Sequence, residues 1–191
     1  ACGISDDILS DTWTFNGLNW SPAGSIQSRG AAPMSFHAGL GKSVLYSGYG
    51  TNSQTMEFDG SAWSDVSASL GSVTPPVYFW HSTAYDAPRG RLVLFGGTDY
   101  DGTVSNQTWT FNGSAWSQQA VGGPSARTRS ALVADTTRNV LVLFGGGLSL
   151  AAAIDRLADR NRNMQRDFES QSAAARSDVE AERNRLATLM S

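Results

Sequence analysis

Residues 107–117 read Gln-Thr-Trp-Thr-Phe-Asn-Gly-Ser-Ala-Trp-Ser, and near-copies of this phrase stand earlier in the chain at residues 11–21 and 54–64. In each copy, large side chains alternate before an Asn-Gly or Asp-Gly pair, and a second short run ends in Trp. Alternation places one set of side chains on one face of a strand. Asn-Gly and Asp-Gly favour positive φ angles at both positions of a tight turn. Each phrase therefore predicts a β-hairpin, and the three copies predict a repeat protein.

The repeat has a second half, a continuous apolar run that ends in glycine. Residues 91–97 read RLVLFGG, residues 139–146 read NVLVLFGG, and residues 43–48 (SVLYSG) are a weaker copy. Such a run is typical of a strand that is buried on both faces. Another short strand is predicted before each run, at residues 35–40, 80–86 and 129–135. One unit thus contains four strands in about 50 residues, which is the period of kelch-type propeller blades.

The apolar run with its glycines, a polar loop and the phrase TWTF(N/D)GxxW together resemble the kelch repeat of the galactose-oxidase-like class, over residues 11–146. The resemblance implies blades of four antiparallel strands around a central axis. It implies no activity, because this architecture hosts many functions. We therefore predict a mostly β chain of kelch-like β-propeller blades, followed by a long C-terminal α-helix.

The strand count predicts an incomplete ring. Residues 11–21 supply two strands, residues 35–66 and 80–119 supply four each, and residues 129–146 supply two. Half a blade, two blades and half a blade fall short of the about four to eight blades of a propeller. Unpaired strand edges favour association. Two interpretations stay open: the chain is a piece of a longer protein, or its copies associate through the open edges and complete each other's half-blades.

Composition divides the chain into three parts. All 20 glycines lie in residues 1–147, whereas residues 148–191 have no glycine and 14 charged residues. We predict an N-terminal tail over residues 1–10, blades over residues 11–147 and a helix over residues 148–191. The net charge is −3, and nucleic-acid-binding proteins normally carry a basic patch, so no nucleic-acid partner is predicted. No apolar run is long enough to predict a membrane span.

Cysteine and lysine usage bears on location. Cys2 is the only cysteine, which excludes a disulfide framework and a cysteine metal site. Ala1-Cys2-Gly3 fits the remnant of a bacterial lipoprotein cleavage site, although an unpaired thiol is the favoured interpretation. One lysine against 13 arginines is typical of a bacterial chain. The location stays open, with a bacterial extracytoplasmic protein, secreted or lipid-anchored, as the preference.

Residues 148–191 carry the pattern of a coiled-coil helix. Apolar and amide side chains recur at alternating steps of three and four residues, which is a heptad pattern. The seam contains Ile154, Leu157, Asn161, Met164 and Phe168. A helix of this kind is seldom stable alone, so a coiled coil and a homo-oligomer are predicted. The segment is also similar to the signalling linker between HAMP and PAS modules of bacterial sensors, which implies a signal-transmitting role.

Chemistry-bearing motifs are scarce. His37 and His81 are the only histidines, and we place them at equivalent positions of the repeat, where a structural role is expected. Two histidines and a distant cysteine do not predict a zinc or copper site. The residues that oxidases of the resembling class use have no counterpart, so their activity is not carried over. No nucleophile elbow, phosphate loop or dinucleotide fingerprint is present. We predict no catalytic residue, no metal and no cofactor.

One stretch departs from the repeat in a way that favours ligand binding. Residues 74–80 (TPPVYFW) place three aromatic side chains before a first strand, and the corresponding stretch of the next copy contains two arginines. Aromatic residues with arginine on loops are typical of recognition surfaces. The candidate binding residues are Tyr78, Trp80, Arg127 and Arg129. The alternative is that Phe79 and Trp80 fill space between blades.

Three functional hypotheses follow. The first is a non-catalytic module that binds a protein or a glycan and carries an oligomerising or signal-transmitting helix. The second is a fragment of a secreted carbohydrate-active enzyme whose catalytic residues lie elsewhere. The third is a structural assembly subunit.

Overall fold

The computed structural model describes residues 8–76, 78–147, 161–162, 164–166, 168–172 and 176. The chain divides into two units, Ala1–Ser149 and Leu150–Ser191, and each is described by itself. In the described part of the first unit, twelve strands form four antiparallel sheets of two, four, four and two strands. The prediction of a mostly β chain is confirmed.

The strands follow chain order within every sheet, so each is a simple meander. The first sheet contains β1 (Asp11–Phe15) and β2 (Trp20–Ser25). The second contains β3 (Met34–His37), β4 (Lys42–Tyr46), β5 (Thr55–Phe58) and β6 (Trp63–Asp65). The third contains β7 (Ser82–Asp86), β8 (Arg91–Phe95), β9 (Thr108–Phe111) and β10 (Trp116–Gln119). The fourth contains β11 (Thr128–Asp135) and β12 (Val140–Gly147).

The three hairpins predicted from the aromatic phrase are present, but their turns differ from the prediction. In the third copy Phe111 pairs with Trp116, so the loop has four residues rather than two. Gly113 has φ +97°, whereas Asn112 is not among the residues with positive φ. The Asn112 side-chain oxygen instead accepts hydrogen bonds from the backbone N–H groups of Ser114 and Ala115, both at 2.9 Å. This side-chain turn replaces the two-residue turn with two positive φ angles.

The second strand of each complete unit is buried, as its unbroken apolar sequence predicts. Leu92 and Leu94 of β8 are 1% and 0% exposed, and β4 contributes Val44 and Tyr46 to the same core. Trp109, Phe111 and Trp116 of the third sheet join them. The core therefore lies between the second and third sheets.

A tryptophan–threonine hydrogen bond joins successive sheets. The indole N–H of Trp116 in β10 donates to the Thr55 hydroxyl in β5 at 2.9 Å. One repeat earlier, the indole N–H of Trp63 in β6 donates to the Thr12 hydroxyl in β1 at 2.8 Å. Both bonds use the Trp that ends the repeated phrase and the Thr near its start. The same two positions of the repeat therefore hold the sheets in sequence.

The first strands of the second, third and fourth sheets are neighbours, with β7 packed between β3 and β11. The hydroxyls of Ser35 and Thr83 lie 2.8 Å apart, and those of Ser82 and Ser130 lie 3.1 Å apart. The loops that precede these strands are thereby brought to a common region of the first unit.

The predicted long C-terminal helix is wrong. In the second unit, helix is described only at residues 161–162, 164–166, 168–172 and 176, and these residues do not show a continuous helix over residues 148–191. The predicted seam residues Ile154 and Leu157 lie outside the described residues. Met164 and Phe168 are 60% and 72% exposed, and Asn161 is exposed as well. An apolar stripe without a packing partner stabilises a helix little, which is the physical reason that the periodicity misleads.

None of the helical residues that the structure describes belongs to a helix with the length and apolar character needed to cross a membrane.

Candidate ligand-binding surface

Three residues at the same position of successive repeats share an uncommon backbone conformation. Ala31, Trp80 and Arg129 have φ angles of +53°, +56° and +57°. The backbone N–H of Trp80 donates to the Ala31 carbonyl at 2.9 Å, and that of Arg129 donates to the Trp80 carbonyl at 2.7 Å. Left-handed backbone costs a residue with a side chain roughly 1 to 2 kcal/mol. The fold therefore sets the backbone at this position, while the side chain differs in each repeat.

The side chains of Trp80 and Arg129 pack against each other. The guanidinium carbon of Arg129 lies 3.6 Å from the centre of the Trp80 ring. Arginine above an indole face is a favourable cation–π arrangement. Arg129 is exposed and Trp80 is partly buried, so the pair forms part of the surface.

Aromatic rings from two other loops extend this surface. Phe79 lies beside Trp80 with ring centres 4.9 Å apart, and it contacts both Tyr49 and Tyr100 with ring centres 5.3 Å apart in each case. Tyr49 is 40% exposed and Tyr100 is 55% exposed, whereas Phe79 is buried. We call Tyr49, Phe79, Trp80, Tyr100 and Arg129 the aromatic cluster.

Hydrogen bonds hold the loops of the aromatic cluster in place. The Tyr100 hydroxyl, in the loop between β8 and β9, accepts a hydrogen bond from the Gly50 backbone N–H at 2.8 Å. The backbones of Phe79 and Thr98 exchange two hydrogen bonds, at 3.1 and 3.0 Å. The loop after β4, the loop after β8 and the segment before β7 are thus linked directly.

Arg127, a predicted binding residue, has its guanidinium engaged within the protein. Its Nη1 donates to the Gly145 carbonyl at 3.1 Å, and its other nitrogens donate to Ser125. Arg29 has the same position in an earlier repeat, because Gly30 after it corresponds to Thr128 after Arg127. It donates in the same way to the Ser47 carbonyl at 3.4 Å. This position of the repeat therefore anchors the end of a second strand.

Tyr78 also lies inside the protein. It is buried, and its hydroxyl is 3.5 Å from the Gln107 side-chain oxygen. The structure thus brings Trp80 and Arg129 together at the surface, and it places Tyr78 and Arg127 in supporting positions.

Sequence reasoning missed Tyr49, Tyr100 and the packing role of Phe79 between them. A signal was available, because Tyr49 and Tyr100 each follow the glycines that end a second strand. Aromatic residues in short glycine-bounded loops are candidates for recognition. Their mutual contact was not visible, because the two residues are separated by a whole repeat.

The two histidines are not at equivalent positions, which corrects the prediction. His37 ends β3, where its ring contacts Tyr85 with ring centres 4.7 Å apart, whereas His81 precedes β7. Both are buried, and neither has a hydrogen-bond partner on its ring nitrogens among the described residues. Burial lowers the pKa of His81 to about 3. A neutral, enclosed imidazole of this kind contributes packing.

No group of three or more potential metal-ligating side chains is assembled within the part of the chain that the structure describes. A cavity of about 270 Å³ lies between the first and second sheets. Its lining includes Trp13, Ile26, Arg29, Met34 and Trp63. The Arg29 guanidinium that lines it already donates to Gln54 and to Ser47.

No family model matches the chain, and no curated protein matches it. Solved structures do match, and one of them is the structure of YjhT. It is 17% identical to this chain with a TM-score of 0.52, and the match covers 68% of this chain and 42% of the YjhT chain. This chain therefore spans less than half the length of that structure. At this identity the likeness shows a similar fold alone, and the kelch assignment remains a prediction.

Proposed function

We propose that this chain is a non-catalytic binding module and that the aromatic cluster is its contact surface. The observation that carries the proposal is the Trp80–Arg129 pair. Two repeats place different large side chains at one backbone position, where glycine would be free of strain. Strained backbone that is kept at a surface loop is typical of a functional site.

The composition of the aromatic cluster favours a protein ligand over a glycan. Trp, Tyr and Arg are the residues that most often dominate binding energy at protein interfaces. A sugar ring needs an open aromatic face, and the Arg129 guanidinium already covers a face of Trp80 at 3.6 Å. Tyr49 and Tyr100 add exposed, rigid contact area beside this pair.

Close packing behind the aromatic cluster supports a preorganised surface. A Cβ atom added at Gly97 would lie 2.9 Å from the His81 Cβ and 3.1 Å from the Phe79 carbonyl oxygen, so the glycine permits the loops to approach. Preorganised loops lose little conformational entropy when a ligand binds, which raises affinity.

The test is selection of binding peptides from a random peptide library displayed on phage, with the purified chain as the target. We expect the selected peptides to bind Trp80→Gly and Arg129→Gly at least tenfold more weakly than the unchanged chain. Glycine accepts the positive φ at both positions, so these variants remove the side chain without adding backbone strain.

Ala31→Gly is the matched control, because it has the same backbone geometry and should leave peptide binding unchanged. A glycan array run in parallel tests the other class of ligand. The proposal fails if the selected peptides bind all variants equally. Binding that depends on Trp80 but is found only on the glycan array would overturn the choice of a protein ligand over a glycan.

A further inference from the structure

Two strands of the described first unit, β1 and β12, each lack a partner strand that their counterparts in the four-stranded sheets have. β1 pairs only with β2, and β12 pairs only with β11. In the two four-stranded sheets, the strands at the corresponding positions pair with each other, as β4 with β5 and β8 with β9. β12 therefore lacks a third strand, and β1 lacks a second strand.

The sequences at these two edges match a strand pair that the molecule already forms. Residues 141–144 of β12 are LVLF, identical to residues 92–95 of β8. Residues 12–15 of β1 are TWTF, identical to residues 108–111 of β9. β8 and β9 pair in a defined register, with Leu92 opposite Phe111 and Leu94 opposite Trp109.

We propose that a second copy of this chain supplies the missing strand, so that β1 of one copy pairs with β12 of the other. The register of the third sheet carries over directly. Leu141 then lies opposite the partner copy's Phe15, Val142 opposite its Thr14, and Leu143 opposite its Trp13. The fourth sheet of one copy and the first sheet of the other become one four-stranded sheet.

The exposure of side chains supports this pairing. Phe144 and Val142 of β12 are 79% and 45% exposed, and Trp13 and Phe15 of β1 are 50% and 53% exposed. Their counterparts in the third sheet are buried, and Phe111 is 0% exposed. Large apolar surfaces on open strand edges favour association with another strand.

The tryptophan–threonine bond between sheets gives a second, independent link. Trp63 donates to Thr12, and Trp116 donates to Thr55. The repeated phrase has three such Trp residues and three such Thr residues, and Trp20 and Thr108 are the two that take no part in these bonds. In the shared sheet, Trp20 of one copy follows the third sheet of the other copy, where Thr108 is the matching acceptor. Trp20 is exposed in the single chain, in contrast to buried Trp116.

The two edges lie on different sheets with the second and third sheets between them, and Trp63 holds β1 against the second sheet. In a pair of copies, β1 of each copy can pair with β12 of the other. This arrangement has two identical junctions and is two-fold symmetric.

Cysteine trapping tests the register. In a Cys2→Ser background, chains carrying Thr14→Cys are mixed with chains carrying Val142→Cys and exposed to mild oxidation. Residues directly opposite in an antiparallel pair are close enough for a disulfide. We expect a mixed disulfide dimer at least tenfold more abundant than with the control Val133→Cys. Val133 is also an exposed valine, but it lies on β11, away from the β12 edge that β1 of the second copy would join.

Sedimentation of the chain that carries Cys2→Ser and no other substitution supplies the second measurement. The expected mass is twice that of one chain. Val142→Lys places a charge at the edge and should yield a folded chain of single mass. The proposal is wrong if the chain sediments as a single copy at high micromolar concentration. Open-ended polymers, or equal trapping at Val133 and Val142, would also overturn it. A single-copy result would leave a further segment of a longer protein as the source of the missing strand.

Discussion

His81 shows how one buried side chain makes the stability of this fold depend on pH. Its ring contacts Tyr46 edge-on with ring centres 6.2 Å apart, and its Cβ lies 2.9 Å from the position that a Cβ at Gly97 would take. Burial lowers the pKa of His81 to about 3, far below the ordinary value of 6.5. Protonation therefore favours the unfolded chain throughout the interval between these two values.

We predict that the free energy of unfolding falls as the pH is lowered from about 6.5 towards 4. The unfolded chain takes up a proton on His81 in this range and the folded chain does not, which gives a slope of roughly 1.4 kcal/mol per pH unit. Urea unfolding at a series of pH values measures the slope. His81→Asn, which cannot take up the proton, should flatten it.

Carboxyl groups also make the free energy of unfolding depend on pH, but they do so at lower pH. Their effect can therefore be separated from that of His81. Three backbone and side-chain hydrogen bonds, led by that from the Ala62 backbone, lower the pKa of Asp59 to about 2. The stability that this group contributes is present above its ordinary value of 3.8 and is lost as the pH falls towards 2. The comparison is therefore made above pH 4. If the free energy of unfolding changes equally steeply with pH in the unchanged chain and in His81→Asn above pH 4, the assignment to His81 is contradicted.

At the scale of elements, the hydrogen bond from Trp116 to Thr55 connects the second and third sheets through their buried interior. Thr55 is fully buried and its hydroxyl accepts the indole N–H at 2.9 Å. A buried polar group that loses its partner destabilises the folded state, because it is no longer solvated by water or protein.

We predict that Trp116→Phe lowers the free energy of unfolding by about 1 to 3 kcal/mol, from the unpaired Thr55 hydroxyl. Chemical denaturation measures the change. Trp63→Phe removes the equivalent bond to Thr12, but both of these residues are only partly buried, so the loss should be smaller. Equal losses would mean that the bond itself, rather than its burial, decides the effect. An unchanged stability in Trp116→Phe would exclude the connecting role.

The hairpins illustrate what sequence predicts well at this scale. Alternating large residues before Asn-Gly place β9 and β10 correctly, because strand periodicity and the need for a turn are local properties. The turn type is missed because the Asn112 side chain competes with the backbone for the same N–H groups. Side-chain competition within four residues depends on geometry that the residue pattern does not contain.

The candidate site was predicted in part for a similar reason. Composition identified Trp80 and Arg129, which the structure brings into contact. It could not separate them from Tyr78 and Arg127, because each of these lies only two residues before Trp80 or Arg129, and only the fold decides which of the two side chains reaches the surface. The partnership of Tyr49 with Tyr100 depends on the packing of separate repeats.

For the whole molecule, the distribution of the core decides which parts are stable. The buried cluster is formed by side chains of the second and third sheets together with Leu70. The strands of the first and fourth sheets have mostly exposed or partly exposed residues. Local stability follows buried apolar contact, so we expect the two central sheets to unfold as one unit and the outer sheets to open more readily.

We predict that Leu94→Ala lowers the free energy of unfolding by about 2 to 5 kcal/mol, because it leaves a cavity in the centre of the core. Amide hydrogen exchange should become faster in β4 and β5 as well as in β8 and β9, since the two sheets share this core. Chemical denaturation in dilute protein and hydrogen exchange followed by mass spectrometry measure both effects.

Leu143 is the matched control, because it has the same position in the repeat and the same neighbours in sequence but is only partly buried. In dilute protein, Leu143→Ala should cost less than half as much as Leu94→Ala. Strand pairing between copies would bury Leu143 as Leu94 is buried, so its cost should then rise with protein concentration. Similar costs for both variants in dilute protein would contradict a core confined to the central sheets. A cost for Leu143→Ala that stays small at every concentration would speak against a second copy at β12.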